Sequence, residues 1–221
     1  MPWRASPGGW TSPGGSSSAP TQSSGWMWIS PISWRSCALT WKPARWDGLN
    51  PSMRARLQAL DRRFAWLSEG VDRSKALRLA CVVLAHSGDS WFWLLGLGLL
   101  WWFGDAGWSQ RALLMAVGIL LTAAVVMAIK LTVRRSRPAG EWGRIYRSTD
   151  PHSFPSGHAA RAMMLAVLGV AQGPPWFGIV LLVWAPLVGL ARVVLGVHYP
   201  SDVVAGMVLG ALMGGAVLAI F

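Results

Sequence analysis

Apolar segments of near membrane-spanning length recur along the chain from residue 91 onward, and they constrain its fold more than any other feature. The chain is 53% hydrophobic and only 13% charged, whereas about a quarter of the residues in a soluble domain are charged. A helix needs about 20 residues to cross a bilayer, and the segments with their flanks provide about five crossings. We therefore predict an all-α, integral-membrane helical bundle. The predicted spans are 91–103 with its flanks, 112–133, 157–172, 176–197 and 203–221.

Single residues within these spans indicate how the helices end, bend and pack. Tryptophans near both ends of the first span match the aromatic belts of membrane interfaces. Pro186 removes a backbone donor inside a helix and predicts a kink there. Glycines of the last span allow close helix approach; they are Gly206, Gly210, Gly214 and Gly215.

Helical patterns also precede the spans. Seven basic residues lie between positions 54 and 78, with apolar residues at helical spacing among them. This pattern predicts an N-terminal amphipathic helix that lies at the membrane surface; the alternative is a solvated helix packed on its neighbours. Residues 76–86 are apolar but too short to span. They predict a short or half-inserted helix that ends near residues 87–89.

The first 52 residues are rich in serine, proline, glycine and tryptophan. Because such a composition cannot bury enough apolar surface to fold, we predict a disordered tail over 1–52, followed by a membrane domain over 53–221. No basic region with an apolar core and a small-residue cleavage site is visible, so no signal peptide is expected. Either the tryptophans enter the bilayer interface, or the tail is not native and translation begins at Met53.

The net charge of +11 is assigned to lipid headgroups and a phosphorylated substrate, not to nucleic acid. Many of the basic residues flank apolar segments, where they meet anionic membrane lipids.

Cys37 and Cys81 form neither a metal-binding spacing nor a disulfide framework, and the apolar surroundings of Cys81 indicate that it packs in the protein interior.

Charged and histidine side chains lie at the ends of the apolar segments, where charge is costly and usually marks a functional site. If successive spans alternate in direction, all of these side chains reach the same face of the membrane. The residues are Lys130, Arg137, His158, Arg192, His198 and Asp202.

The basic members of this group suit the binding of a phosphate. Arg137 and Arg192 each offer a planar fork to phosphate oxygens, and Lys130 adds a compact positive charge. Ser156 and Gly157 follow a proline and begin a helix. Backbone N–H groups at a helix start bind anions, and glycine lets a ligand approach the backbone closely.

The histidines and the acid suit phosphoryl transfer. Asp202 lies four residues after His198, and we expect its carboxylate to fix the tautomer of that imidazole. The opposite ring nitrogen then becomes a better nucleophile. His158 remains to protonate the departing alkoxide.

Other interpretations exist for each residue alone. A single lysine or arginine at the end of a span often extends to the headgroups, and Pro-Ser-Gly-His is a common helix start. The histidines and acids, with Asp150 and His152 added, are an alternative metal site, although no cysteine or close ligand pair supports one. The remaining polar residues are assigned no catalytic role; they are Arg134, Glu141, Asp150 and His152 in loops, and His86 at a helix end.

Three spaced motifs together resemble the signature of the type 2 phosphatidic acid phosphatase superfamily, within a match over residues 57–221. The motifs are Lys130-x6-Arg137-Pro138, Pro155-Ser156-Gly157-His158 and Arg192-x5-His198-x3-Asp202. The resemblance implies a helical membrane phosphatase that works without a metal ion or other cofactor. It implies attack by His198 to give a phosphohistidine, orientation by Asp202, and His158 as acid and later base. The implied phosphate-binding residues are Lys130, Arg137, Ser156, Gly157 and Arg192.

One position departs from the family pattern. The family usually has serine before the arginine of the third motif, and this chain has Ala191. A possible hydroxyl donor is thereby lost, and we expect weaker phosphate binding or an altered preference, with the chemistry retained.

The sequence therefore predicts an integral-membrane lipid phosphatase that hydrolyses a lipid phosphate monoester or diphosphate. Candidate substrates are phosphatidate, phosphatidylglycerol phosphate and polyprenyl diphosphate. The alternative enzyme is an undecaprenyl diphosphate phosphatase that recycles the cell-wall carrier, whereas a haloperoxidase is disfavoured because the chain is so apolar. A non-enzymatic lipid-phosphate binding or transport protein would need the basic residues, but not both histidines and the acid. No oligomeric state is predicted.

The predicted location is the inner membrane of a bacterium. By the positive-inside rule, loop arginines on the inferred active face put the site in the cytoplasm. Residues around a phosphate site are also selected for chemistry, and the resemblance implies an extracytoplasmic site, which we favour. These arginines are Arg134, Arg135, Arg144 and Arg147.

Overall fold

The computed structural model describes residues 50–64, 74–138 and 150–221. Within these ranges the chain forms seven helices, and Ser136 and His152 form an isolated antiparallel bridge. The predicted tail falls almost wholly outside the described residues, as do Glu141, Arg144 and Arg147. The helices are α1 (Pro51–Arg63), α2 (Lys75–Ser87), α3 (Ser90–Phe103), α4 (Ala106–Val133), α5 (Gly157–Gln172), α6 (Pro175–Val194) and α7 (Pro200–Ile220).

The prediction of an all-α membrane bundle is confirmed. Among the described residues, α4, α6 and α7 are each long and apolar enough to cross a membrane. The helices α2 and α3 meet the same criteria as a pair that is bent by 57° at the break between them. With 16 residues, α5 is shorter than a typical span. The count of five spans therefore stays a prediction.

Helix α5 lies at the centre of the bundle, packed against α4, α6 and α7. Its central position depends on small residues where it faces α7, since glycines of α7 contact Ala159 and Ala160 of α5. A Cβ added to Gly206 of α7 would lie 2.5 Å from the Ser156 carbonyl oxygen, and one on Gly210 would overlap the Ala160 carbonyl. The predicted close approach is confirmed at these glycines. It is wrong for Gly215, which has nothing within 4 Å.

The N-terminal part differs from the prediction of one helix over 54–78. Helix α1 ends at Arg63, where the N–H of Phe64 bonds back to the carbonyls of Asp61 and Arg62. Helix α2 starts afresh after Ser74, whose side chain accepts the N–H of Leu77. Two capped ends replace the continuous helix, and residues 65–73 lie outside the described part. The predicted end of the second helix near 87–89 is confirmed.

A buried arginine joins α1 to the start of α7. The guanidinium of Arg135 donates to the carboxylates of Asp61 and Asp202, and it lies 3.8 Å from the centre of the Tyr199 ring. Asp61 also accepts the N–H of Ser201 at 2.9 Å. Arg135 lies in the loop after α4, as predicted, but its side chain is fully buried, so its charge is balanced inside the protein and does not face the membrane surface. The network fixes the backbone from which α7 begins.

The connection between α6 and α7 lies three residues earlier in the chain than predicted. Helix α6 continues through Pro186 but ends at Val194, three residues before the expected end, and α7 begins at Pro200, three residues early. Gly196 adopts a positive φ of 65°, a conformation that glycine reaches without steric cost. The N–H groups of Val197 and His198 then bond back to the Arg192 carbonyl. His198 therefore lies in a fixed turn and not on a helix.

The glycine contacts between α5 and α7 predict a difference between two otherwise similar substitutions. Gly210→Ala inserts a methyl group against the backbone of Ala160, and overpacking of this kind costs about 1–3 kcal/mol. We expect its thermal unfolding midpoint in detergent to fall by several degrees. Gly215→Ala enters open space and should leave the midpoint unchanged or slightly raised. Equal midpoints for the two variants would contradict this packing.

Candidate active site

The structure brings the predicted site residues together, from the end of α4, the start of α5, the end of α6 and the start of α7. The Ser156 N–H donates to the Asp202 carbonyl at 2.9 Å, which fixes the start of α5 against the start of α7. His158 is partly exposed. The other predicted residues are buried, namely Lys130, Arg137, Ser156, Gly157, Arg192, His198 and Asp202.

The ring of His198 is held in one orientation by its two neighbours. Its Nδ1 lies 2.9 Å from the Ser153 carbonyl oxygen. A carbonyl only accepts hydrogen bonds, so Nδ1 carries the proton and Nε2 carries the lone pair. That Nε2 lies 3.3 Å from Nη1 of Arg137. The structure therefore presents an unprotonated ring nitrogen next to a guanidinium, as a nucleophile for a bound phosphate requires.

Asp202 differs from the expected orienting carboxylate. Its Oδ2 lies 3.6 Å from Nδ1 of His198, which is beyond hydrogen-bond length. The carboxylate accepts instead from Arg135 and from the Tyr199 N–H, the latter at 2.9 Å within the first turn of α7. The Ser153 carbonyl orients the ring. Asp202 adds a nearby negative charge and caps the helix.

His158 has a carboxylate partner that the sequence analysis missed. Its Nε2 lies 2.7 Å from Oδ1 of Asp89, whose Oδ2 lies 3.0 Å from Nδ1 of His86. Asp89 occupies the break between α2 and α3 and lies outside all three motifs. The signal was present, since Asp89 is the only acid between Asp72 and Asp105 in an otherwise apolar stretch. His86 ends α2 as predicted and also contacts this pair.

Asp150 was assigned no role, and the structure corrects this. It forms ion pairs with Lys130 and with Arg137, the latter at 2.8 Å. Its backbone carbonyl accepts from Nε of Arg137 at 2.7 Å. One carboxylate thus holds two of the predicted phosphate-binding cations side by side. Sequence could not indicate this contact, because residues 139–149 separate Asp150 from the first motif.

The start of α5 supplies backbone donors. Ser156 is the N-cap, and its Oγ accepts the N–H of Ala159 at 3.5 Å. The first N–H groups of a helix have no partner within the helix, so those of Gly157 and His158 are available to an anion. Ala191, in place of the family serine, packs with Cys81 and Ala85 of α2 in an apolar cluster.

The electrostatics of the site favour neutral His198. Burial away from water lowers the pKa of His198 well below the ordinary value, and the positive charges of Arg137 and Arg192 lower it further. Both effects disfavour the charged imidazolium. The neutral form of the imidazole is therefore populated at neutral and mildly acidic pH.

The family model of the PAP2 superfamily matches residues 111–221, which include all three motifs. The chain belongs to this superfamily. One relative, decaprenylphosphoryl-5-phosphoribose phosphatase of Mycobacterium tuberculosis, is 36% identical over 136 residues, covering 61% of this chain and 75% of the relative. Another, undecaprenyl-diphosphatase of Sulfolobus acidocaldarius, is 36% identical over 104 residues, covering 42% of this chain and 50% of the relative.

A solved structure of the same superfamily has a similar fold. The transmembrane PAP2-type phosphatidylglycerolphosphate phosphatase of Bacillus subtilis aligns with a TM-score of 0.58 and 24% identity, over 77% of this chain and 86% of that chain. The resemblance predicted from the three motifs is thus confirmed by the PAP2 family match and agrees with this fold. The roles of the individual site residues stay predictions.

The Asp89–His158 pair predicts a loss of activity that depends on the leaving group. Asp89→Asn keeps the side-chain shape but removes the charge that stabilises protonated His158. Because general acid catalysis contributes about 10²–10⁴-fold, we expect kcat on a lipid phosphate, with its alkoxide leaving group, to fall at least about tenfold. With p-nitrophenyl phosphate, whose leaving group needs no proton, the fall should be much smaller. An equal loss on both substrates would indicate a structural role only.

The charge of Arg137 predicts a shift in pH dependence. Arg137 disfavours protonation of His198, so removal of Arg137 raises the pKa of His198. As the pH falls, the imidazole is then protonated, and lost as a nucleophile, at a higher pH than in the wild type. We expect the acid limb of the kcat/KM profile, which reports groups of the free enzyme, to move to higher pH in Arg137→Gln. The rate should also fall at every pH. Arg134→Gln removes an exposed charge outside the site and should not shift the limb; a shift there, or none in Arg137→Gln, would oppose this account.

Proposed function

We propose that this protein is an integral-membrane lipid phosphatase that hydrolyses a lipid phosphate monoester or diphosphate through a phosphohistidine on His198. The observation that carries the proposal is the geometry of His198. Its Nδ1 donates to the Ser153 carbonyl, and its Nε2 faces the guanidinium of Arg137. A bound phosphate that contacts Arg137 meets an unprotonated nitrogen beside it.

Substrate binding is assigned to the cations and the helix start. Lys130, Arg137 and Arg192 neutralise the non-bridging oxygens, and the N–H groups at the start of α5 donate to them. Asp150 keeps Lys130 and Arg137 adjacent. The donors are therefore in position before the phosphate arrives, which lowers the reorganisation needed in the transition state.

Two steps then complete the reaction. The lone pair of His198 Nε2 attacks phosphorus, an N–P bond forms, and the P–O bond to the lipid breaks. His158 gives its proton to the departing oxygen. Neutral His158 next takes a proton from a water molecule that attacks the phosphohistidine, and the N–P bond breaks to release inorganic phosphate. Both histidines return to their starting states.

Each histidine has an acid suited to its charge change. His198 becomes positive when its Nε2 bonds to phosphorus, and the Asp202 carboxylate lies 3.6 Å from its Nδ1. The role of acid requires His158 to enter the reaction protonated, and the carboxylate of Asp89, 2.7 Å from its Nε2, is the charge that favours this form. A protein that only binds or transports a lipid phosphate has no need of two histidine–acid pairs. These pairs favour the enzyme over the binding protein.

The lipid nature of the substrate is supported by the surface of the bundle and by the relatives. Apolar side chains such as Leu131, Val183 and Val204 are exposed on the spans, where a lipid tail can lie while its headgroup reaches the buried cations. The two relatives described above are named for polyprenyl substrates. These names support polyprenyl diphosphate among the three candidate substrates given above, and hydrolysis of undecaprenyl diphosphate is the second candidate function.

The proposal assigns no step to a metal ion. The cations already present perform the neutralisation that a metal would perform. Within residues 50–64, 74–138 and 150–221, no group of three or more His, Cys, Asp or Glu side chains is arranged to hold a metal. In particular, Asp150 of the alternative metal set is engaged by Lys130 and Arg137.

Phosphate release from a panel of lipid phosphates and diphosphates in detergent, with excess EDTA, tests the proposal. We expect the wild type to release phosphate and His198→Ala to lose the activity by at least about 10³-fold. His152→Ala removes a histidine of the alternative metal set and should retain activity. Release abolished by EDTA would favour a metal site. A fully active His198→Ala variant would overturn the assignment of the nucleophile.

A further inference from the structure

Arg161 is a cation of the site that neither the motifs nor the proposed mechanism uses. Its Nε is inaccessible to solvent, and it has no hydrogen-bond partner among the residues that the structure describes. Lys130 and Arg137, in contrast, are both paired with Asp150. A buried guanidinium nitrogen without an acceptor costs folding free energy. We therefore expect Arg161 to have a role other than stabilising the fold.

The side chain of Arg161 lies against the phosphate-binding start of α5. Its Nη1 lies 3.3 Å from the position that a Cβ would take on Gly157, one helical turn earlier. This direction is expected, because helix side chains point back towards the N-terminus. Val126 of α4 lies 3.5 Å from the same position. The guanidinium is therefore between α4 and the helix start where the phosphate is proposed to bind.

Nearby acids do not supply a hydrogen bond to Arg161. Its charge interacts with those of Asp89 and Asp150 and opposes that of Arg192. Asp89 is already bonded to His158 and His86, and Asp150 to Lys130 and Arg137. Among the described residues, Nε of Arg161 thus remains a donor without an acceptor, in a site that already contains enough cations for one phosphate.

The position of the Arg161 guanidinium indicates which group it would meet. Its Cα lies four residues beyond Gly157, but its Nη1 points back to 3.3 Å from the position of a Cβ on Gly157. The guanidinium therefore lies beside the phosphate that is proposed to bind at the helix start. Because the other cations suffice for that phosphate, the group that Arg161 meets is a second anionic group next to it. In a lipid diphosphate, the phosphate that is attached to the lipid is this neighbour.

We propose that Arg161 binds the lipid-attached phosphate of a lipid diphosphate and so favours diphosphates over monophosphates. This inference rests on the proposed function. When His198 Nε2 bonds to the terminal phosphorus, the bond from that phosphorus to the bridging oxygen breaks, and its electron pair stays on the lipid phosphate. His158 protonates this oxygen, and Arg161 stabilises the remaining negative charge. The products after hydrolysis are inorganic phosphate and a lipid monophosphate.

Farnesyl diphosphate and farnesyl phosphate provide the test, since they share one tail and differ by one phosphate. Initial rates of phosphate release are measured for the wild type, Arg161→Gln, Arg161→Lys and the control Arg134→Gln, whose arginine is exposed outside the site. We expect Arg161→Gln to lower kcat/KM for the diphosphate about 10- to 100-fold, as for a lost hydrogen bond to a charged group. For the monophosphate the change should be less than about twofold.

Arg161→Lys keeps the charge but loses the planar fork, so its diphosphate preference should fall by an intermediate factor. This variant also carries the test if Arg161→Gln does not fold. Arg134→Gln should match the wild type on both substrates.

The outcomes separate this inference from the function on which it rests. Equal losses on both substrates would mean that Arg161 acts on the reacting phosphate or through His158, and would overturn the inference while the phosphatase stands. No loss on either substrate would overturn it as well. If the wild type released phosphate from neither lipid, the proposed function would fail together with the inference.

Discussion

The hydrogen bond from Nδ1 of His198 to the Ser153 carbonyl is the interaction on which the chemistry of this site depends. It places the proton on Nδ1, so that Nε2 carries a lone pair and faces Arg137. The bond exists only because two separate loops are fixed. Gly196 turns the chain after α6, and the Ser153 N–H bonds to the Arg135 carbonyl at 2.9 Å, which holds the loop before α5. The fold thus sets the tautomer through backbone geometry.

Burial of positive charge at the end of an apolar bundle is the second constraint. Each buried cation would be costly alone, and the structure offsets several of them with shared carboxylates. Asp150 holds Lys130 and Arg137, and Arg135 lies between Asp61 and Asp202. In the part of the chain that the structure describes, Arg161 has no such hydrogen-bonded carboxylate, and this difference is the reason to assign it to the substrate. Stability and substrate binding are therefore linked, because the same charges serve both.

The sequence predicted the helical membrane class and the positions of the motif residues, since apolar length and charge at span ends are local properties. It did not predict the contacts of Asp89 or Asp150, because each depends on a fold that joins distant segments. The pair Arg134–Arg135 shows the limit clearly. Two adjacent arginines look alike in sequence, yet Arg134 is exposed after α4 with a positive φ of 49°, and Arg135 is wholly buried. Only the arrangement of α1 and α7 separates them.

The predicted end of α6 and start of α7 were wrong, because single residues set where these helices end and begin. The apolar pattern extended α6 to residue 197 and started α7 at residue 203, because hydropathy does not register a glycine turn or a proline at the first helical position. These few residues contain His198 and Asp202. The geometry of the catalytic groups was therefore less predictable than their identity, and the expected Asp202–His198 hydrogen bond proved to be a Ser153–His198 bond.

The most direct test of this account is to trap the intermediate and identify the phosphorylated atom. The wild type is mixed with a lipid phosphate, quenched within one turnover under alkaline conditions and digested, and the nitrogen-bound phosphate is located by mass spectrometry and NMR. We predict phosphate on Nε2 of His198 and none in His198→Ala. Phosphate on another residue, or on Nδ1, would contradict the orientation that the Ser153 carbonyl imposes. Turnover without any phosphoenzyme would indicate direct attack by water.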